Sequence, residues 1–259
     1  MKNHRCPSCP SCTSAQAASL RARVAVLESQ LTRARTGSSV SCARLSHDLQ
    51  AIFLAIEGFA GVLMEQTRGS LTGRQALDLE RVRAGALRGD SLMRGLARLS
   101  TVAGAEVQPR PVAMGPLVRQ CIQELLPSLQ QRSVEWELSP APWPQVTADP
   151  MLLRIAIEQL LANAVKSTRG SAQPRIGVGV DSTIDECTIA VADNGDGFDP
   201  ACLHRFFAPF ERNGVGLALV KCIAQRHGGR VQAQARPGAG TLITMTLPRP
   251  VADAGSGWP

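Results

Sequence analysis

A histidine followed directly by an aspartate is the first feature of this sequence that could carry chemistry. His47 lies off the apolar spacing set by Leu45 and Leu49, so on a helix its imidazole would point toward solvent, with Asp48 beside it. An exposed histidine on its own usually has no function. Its significance here comes from its place in a helical hairpin and from three motifs further along the chain.

An asparagine and a lysine lie three residues apart in a segment with helical apolar spacing. Asn163 and Lys166 therefore share one helix face. An amide oxygen can ligate Mg²⁺, and a lysine one turn away can reach phosphate oxygens. Read alone, the pair is also what an ordinary surface helix carries, so its meaning depends on the motifs that follow.

Two glycine motifs complete the set. Asp193 ends an apolar strand and is followed by Gly195 and Gly197, which would let the backbone approach a flat ligand. The Asp193 carboxylate could then accept a hydrogen bond from an amine of that ligand. Gly214 and Gly216 run directly into an apolar helix, where free N–H groups can hold phosphate oxygens. The first motif is equally compatible with a glycine-rich turn capped by an aspartate.

The elements that must position these residues begin with helices. Residues 15–37 carry a heptad seam, which predicts a short parallel coiled coil or a single amphipathic helix. A second apolar stripe follows in phase with it, then a turn at 69–73 and a second helix over about 74–100. Two such hairpins would form a four-helix bundle. The stripe comprises Leu45, Leu49, Ile52, Ile56, Phe59 and Leu63.

The pattern becomes mixed after a linker at about 101–109. Runs of helices and strands behind a separate helical hairpin predict an α+β chain of two domains. Helices are expected at about 115–131, 150–168 and 215–227. Strands are expected at Val134–Leu138, Arg175–Val180, Thr188–Ala192, Arg230–Ala235 and Thr241–Leu247.

Composition limits the classes of function. In 259 residues, 44% hydrophobic and 19% charged side chains indicate a globular chain, and 3% aromatics argue against recognition of nucleic acid by base stacking. The net charge of +7 is spread along the chain, so a solvated basic surface, or an acidic protein partner, is favoured over nucleic acid. No uncharged run reaches about 18 residues and no secretory signal is evident, which predicts a cytoplasmic protein without a membrane span.

Three of the eight cysteines cluster near the N-terminus. Cys6, Cys9 and Cys12 have spacing compatible with Zn²⁺ or an iron–sulfur cluster. A disordered tail and an interchain disulfide are the alternatives, and the sequence does not choose among the three. The remaining cysteines are expected to be reduced core residues.

The order of these motifs resembles that of the sensor histidine kinases of two-component systems. The resemblance covers about residues 40–249 and includes five boxes in the same order: Ser46 to Gln50, Gln159 to Lys166, Asp193 to Gly197, Phe207 to Phe210 and Gly214 to Ala218. It implies a dimerisation and histidine-phosphotransfer domain over 38–100 and a Bergerat-type ATP-binding α/β sandwich over 110–249. Outside these lie the Cys-rich tail 1–14, the coiled coil 15–37, the linker 101–109 and a loose tail 250–259.

The resemblance also implies roles for individual residues. His47 would attack the γ-phosphate of ATP, with Asp48 orienting the ring and taking its proton. Asn163 would hold Mg²⁺, Lys166 a phosphate and Asp193 the adenine amine. The phosphoryl group would pass to an aspartate of a response-regulator receiver domain. The remaining nucleotide contacts would come from Gly195, Gly197, Phe210, Gly214, Gly216, Leu217 and Thr241.

Two departures from the family pattern matter. Ala51 stands four residues after His47, where relatives that dephosphorylate their regulator usually carry Thr or Asn, so we expect weak phosphatase activity. Only residues 211–213 separate Phe210 from Gly214, so the loop that covers the nucleotide is short. This loop favours an alternative, a non-catalytic phosphotransfer protein with a degenerate ATP-binding domain. A serine kinase of the anti-sigma type is disfavoured by the His47 hairpin and by Gln159, where hydrolysing relatives commonly have Glu.

Overall fold

The computed structural model describes residues 45–129, 132–209 and 214–249. It begins with an antiparallel helical hairpin. The described part of helix α1 is Leu45–Gln66, and helix α2 is Gly73–Gly104. Thr72 and Gln75 form a capping box at the start of α2: the Thr72 hydroxyl accepts the Gln75 N–H, and the Gln75 side chain accepts the Thr72 N–H. Helix α2 continues through Gly104, into the segment expected to be linker, because Val102 is buried in the core of the following domain.

The apolar stripe of α1 is not buried against α2. Phe59 is 71% exposed, and Leu45, Ile52, Ile56 and Leu63 are exposed as well. The face toward α2 carries other residues. Phe53 lies against Gly89, and Glu57 accepts a hydrogen bond from Arg83 at 3.0 Å. The stripe is therefore free to meet another surface, as expected if the hairpin pairs with a second copy.

Within the described residues, α1 is also the one helix whose length and composition would suffice to cross a membrane. The same properties are found in bundle helices, and Glu57 interrupts this one while pairing with Arg83.

The second part of the chain is a helix-covered sheet. A small antiparallel sheet joins strand β1 (Arg110–Ala113) to strand β3 (Gln145–Ala148). The main sheet has five strands in the order β2–β4–β5–β7–β6, with β2 parallel to β4 and every other pair antiparallel. These strands are β2 (Glu135–Leu138), β4 (Arg175–Ser182), β5 (Glu186–Asp193), β6 (Arg230–Ala235) and β7 (Thr241–Pro248).

Helices α3, α4 and α6 complete the domain, together with the single turn α5. Helix α4 is central: Leu153, Ile157, Leu160 and Leu161 are fully buried and pack in one core with the inward side chains of the sheet. Asp149 caps α4 by accepting the N–H groups of the first turn. The α+β class is confirmed. The helices are α3 (Met114–Leu125), α4 (Pro150–Ser167), α5 (Leu203–Phe206) and α6 (Gly216–Arg226), with 3₁₀ turns at Leu126–Leu129, Thr168–Gly170 and Pro200–Cys202.

Candidate nucleotide and phosphotransfer site

Helix α4 presents Asn163 and Lys166 on the same face. Asn163 is 9% exposed, and Lys166, one turn later, is exposed. The end of α4 is fixed by side chains that bind carbonyls in its last turn and in the 3₁₀ turn that follows. The Arg132 guanidinium donates to the Thr168 carbonyl at 2.8 Å, and the Thr168 hydroxyl donates to the Ala164 carbonyl at 3.0 Å. These contacts hold the two polar side chains at a defined position relative to the sheet.

Asp193 ends β5 directly opposite Thr241 of β7. Its carboxylate accepts the backbone N–H groups of Gly195, at 2.9 Å, and of Thr241. Burial is the larger influence and raises the pKa of Asp193 to about 6, although both hydrogen bonds oppose it. A buried carboxylate at the end of a strand, with lone pairs remaining, can accept a hydrogen bond from a ligand amine.

The glycines after Asp193 are required by close backbone packing. A Cβ on Gly195 would clash with the carbonyl of Ser167 at the end of α4, and Gly197, at φ 61°, lies against the carbonyl of Arg236. The loop therefore fits between α4 and the turn that joins β6 to β7. This packing accounts for the glycines, and their contact with a nucleotide stays a prediction.

A cavity of about 580 Å³ lies between α2 and the helix-covered sheet domain. It brings together residues of two separate motifs, since its walls include Asn163 and Lys166 of the first and Gly214, Gly216 and Leu217 of the second. Asp193, Gly195, Gly197 and Thr241 do not belong to these walls. The predicted adenine contacts therefore lie outside the cavity that the predicted phosphate contacts border. Phe210 lies outside the described residues.

The opposite wall of the cavity is α2, which sequence reasoning did not assign to the site. A Cβ on Gly95 would come within 2.7 Å of the Val215 Cβ, so this helix lies directly on the turn that opens α6. The sequence contains a pattern that indicates this contact, because the positions 88, 92, 95, 99 and 102 recur at spacings of four and three residues and so share one face of α2. The residues from α2 are Arg88, Ser91, Leu92, Arg94, Gly95 and Arg98.

His47 is on the surface of α1. Its side chain is 82% exposed, and Nδ1 lies 3.5 Å from the Asp48 carboxylate. The hairpin pairs Phe53 with Gly89. Because the helices are antiparallel, six residues back along α1 correspond to six forward along α2, which puts His47 at the level of Gly95. The histidine and the cavity are therefore at the same height of the hairpin, although His47 does not line the cavity.

The N-terminal cysteines are outside the described residues. Cys6, Cys9 and Cys12, with the metal, cluster or disulfide expected there, therefore stay predictions. Among residues 45–129, 132–209 and 214–249, no group of three or more His, Cys, Asp and Glu side chains is arranged to hold a metal ion.

Comparison with known proteins agrees with this architecture. Residues 148–251 match the family of histidine kinase-, DNA gyrase B- and HSP90-like ATPases. The methanogenesis regulatory histidine kinase FilI of Methanothrix harundinacea is 31% identical over 80% of this chain, and the histidine protein kinase DivJ of Caulobacter vibrioides is 29% identical over 80%. The chain spans 24% and 36% of their lengths.

Solved structures give the same result for the fold. Full-length ShkA in complex with AMPPNP aligns over 81% of this chain and 45% of its own, with 26% identity and a TM-score of 0.58. The Acinetobacter baumannii histidine kinase AdeS aligns over 76% of this chain and 95% of its own, with a TM-score of 0.57 at 16% identity, and so bears on the fold alone. The family match, the relatives and the hairpin followed by a sandwich together support a sensor histidine kinase.

Proposed function

We propose that this chain transfers the γ-phosphoryl group of ATP to His47 and then to an aspartate of a receiver domain. The observation that carries the proposal is the joint cavity. Asn163 and Lys166 of α4, Gly214 and Gly216 at the start of α6, and helix α2 of the hairpin all border one space, while the His47 imidazole is accessible.

The chemistry follows from the ring and its neighbour. With Asp48 beside Nδ1, a neutral imidazole that keeps its proton on Nδ1 has the Nε2 lone pair available for attack. The new N–P bond forms as the bond from the γ-phosphorus to the β,γ-bridging oxygen breaks, and ADP leaves. Asp48 stabilises the positive charge that the ring acquires and then takes the Nδ1 proton, which leaves a neutral phosphorylated ring.

The nucleotide would be held by residues of α4 and of the end of β5. Asp193 is suited to accept the adenine amine, and Lys166 to contact phosphate. The Asn163 amide oxygen is a hard ligand of the kind that Mg²⁺ uses together with phosphate oxygens, and the metal would neutralise phosphate charge. These assignments follow the family resemblance.

We also propose that the chain forms a dimer. The exposed stripe that includes Ile52, Phe59 and Leu63 would pair two hairpins into a four-helix bundle.

We further propose a location in the cytoplasm. A cytoplasmic location is supported by the free thiols of all cysteines in the described part of the chain. The in-phase seams of 15–37 and α1 would carry a signal toward His47.

Incubation with γ-labelled ATP and Mg²⁺ tests the proposed activity. Label that is acid-labile, base-stable and lost in His47→Gln is the expected result. A chain that takes up no label from ATP, but accepts it from a phosphorylated receiver domain, would instead be a phosphotransfer protein. Acid-stable label on another protein would indicate a serine kinase.

A further inference from the structure

The cavity beside α2 is strongly cationic. Its described walls contain four basic side chains and no carboxylate: Arg88, Arg94 and Arg98 from α2, and Lys166 from α4. Arg94 is ion-paired with the buried Asp90 behind it. For Arg88 and Arg98, the described part of the chain offers no carboxylate within ion-pair distance. Their charge is therefore available to an anion in the cavity.

The start of α6 adds to the positive electrostatic potential of the cavity. The turn that contains Gly214 and Gly216 borders the cavity, and the helix start at Val215 has no side-chain cap. The first N–H groups of an 11-residue helix thus face this region without an intrahelical acceptor. An anion placed there would meet a helix N-terminus on one side and arginines on the other.

The arginines are held in position by the packing of α2. Gly95 lies against Val215, and Val102 is buried in the core of the ATP-binding domain. The Arg226 side chain donates to the carbonyls of Ala103 and Ala105 at the end of the same helix. Arg88 and Arg98 are ten residues apart, about 15 Å along the axis, so they flank the contact at Gly95 on both sides.

We propose that Arg88 and Arg98 of the phosphotransfer helix bind the terminal phosphates of ATP, so that the hairpin supplies part of the nucleotide site. This inference rests on the proposed function and makes it more specific. A guanidinium can form two parallel hydrogen bonds to a phosphate, which a lysine cannot. Nucleotide would then draw α2 onto the domain, and the preference for triphosphate over diphosphate would come in part from the hairpin.

Titration calorimetry of the full chain with Mg²⁺ and AMPPNP, ADP or adenosine tests this. The proteins are wild type, Arg88→Gln, Arg98→Gln and the double variant. The control is Arg81→Gln, which changes an exposed arginine of α2 that pairs with Asp78 and is away from the cavity. We expect the double variant to weaken AMPPNP binding at least about tenfold and ADP binding less, with adenosine and the control unchanged.

Two results would overturn the inference. AMPPNP affinity unchanged in the double variant removes the role of the arginines and leaves the kinase proposal intact. An equal loss for adenosine shows a general disturbance of the domain rather than loss of phosphate contacts. A wild-type chain that binds none of the three ligands would remove both proposals together.

Discussion

Gly95 of α2 lies against Val215 at the start of α6, with no room for a methyl group between them. This contact joins the two halves of the chain at the point where the predicted phosphate-binding turn begins. A side chain at Gly95 would push α2 away from the cavity that Asn163 and Lys166 border. The glycine is thus explained by the approach of two helices, although it lies within a helix, where glycine is normally unfavourable.

A matched pair of glycine variants tests this contact. Gly85 is also within α2, and a methyl group there would meet only the end of the Arg88 side chain at 3.9 Å. Gly85→Ala should raise stability by about 0.5–1 kcal/mol through helix propensity, whereas Gly95→Ala should lower it by roughly 1–3 kcal/mol through overpacking. Thermal melts of both proteins measure the difference. Equal stabilisation by both substitutions would show that the helices do not touch.

The exposed stripe of α1 predicts the state of association. A charge at Phe59 should separate the hairpins, because burying an unpaired ammonium in a bundle costs several kcal/mol. We expect Phe59→Lys to convert a dimer into a monomer in size-exclusion chromatography with light scattering. Ile184→Lys is the control, since Ile184 is 86% exposed on the turn between β4 and β5. A dimer that survives Phe59→Lys unchanged would rule out this face.

The pKa of about 6 at Asp193 predicts a pH dependence of nucleotide binding. An ionised carboxylate accepts the adenine amine, so affinity should be constant above about pH 7 and fall up to tenfold per unit below 6. Calorimetric titrations between pH 5 and 8 measure this slope. Asp193→Asn should bind weakly at every pH, and a wild-type affinity that does not change across this range would contradict the assignment.

The Asp193 carboxyl should also make folding stability depend on pH, with stability falling as pH rises, whereas nucleotide affinity should increase. Burial raises the pKa of Asp193 from 3.8 to about 6, so its contribution to stability is fully present below about pH 4 and is lost as pH rises through 6. At neutral pH the buried charge therefore destabilises the free protein, by at most about 3 kcal/mol. Asp193→Asn should melt higher than wild type at pH 7.5 in the absence of nucleotide. A lower melting temperature would mean that the carboxylate's two backbone hydrogen bonds matter more than its burial.

Ala51 predicts how the chain treats its phosphorylated partner. It is exposed one turn after His47, where it offers no polar group to position an attacking water. We expect little dephosphorylation of the receiver domain by wild type and a several-fold gain in Ala51→Thr. Ala55→Thr, one turn further along the exposed surface, should show no gain. Phosphate release from purified phosphorylated receiver measures the activity, and no gain in Ala51→Thr would count against this role for the position.

Much of the architecture follows from local patterns in the sequence. The five expected strands of the main sheet are present, and Arg230–Ala235 has the expected bounds. Strands β1 and β3 were not predicted, because each has four residues and pairs with a segment more than 30 residues away. Short strands held by distant partners leave little periodicity in the sequence.

Only part of the site was predicted, because the rest depends on a contact between distant segments of the chain. Asn163 and Lys166 were evident because both belong to one helix, and the structure places them at one cavity with Gly214 and Gly216. The wall formed by Arg88, Gly95 and Arg98 was missed, because exposed arginines on a helix are typical of a solvated face. Only the docking of α2 on α6 brings them to the nucleotide side, and that contact joins residues more than 100 positions apart.

In the proposed activity, His47 receives phosphate from ATP held by this same protein. Intact-protein mass spectrometry after incubation with ATP and Mg²⁺ tests it most directly, using wild type, His47→Gln and Asp193→Asn. We expect one added phosphate in wild type, removed by mild acid, and none in either variant. Phosphate that persists in His47→Gln, or wild type that binds ATP and gains none, would contradict it.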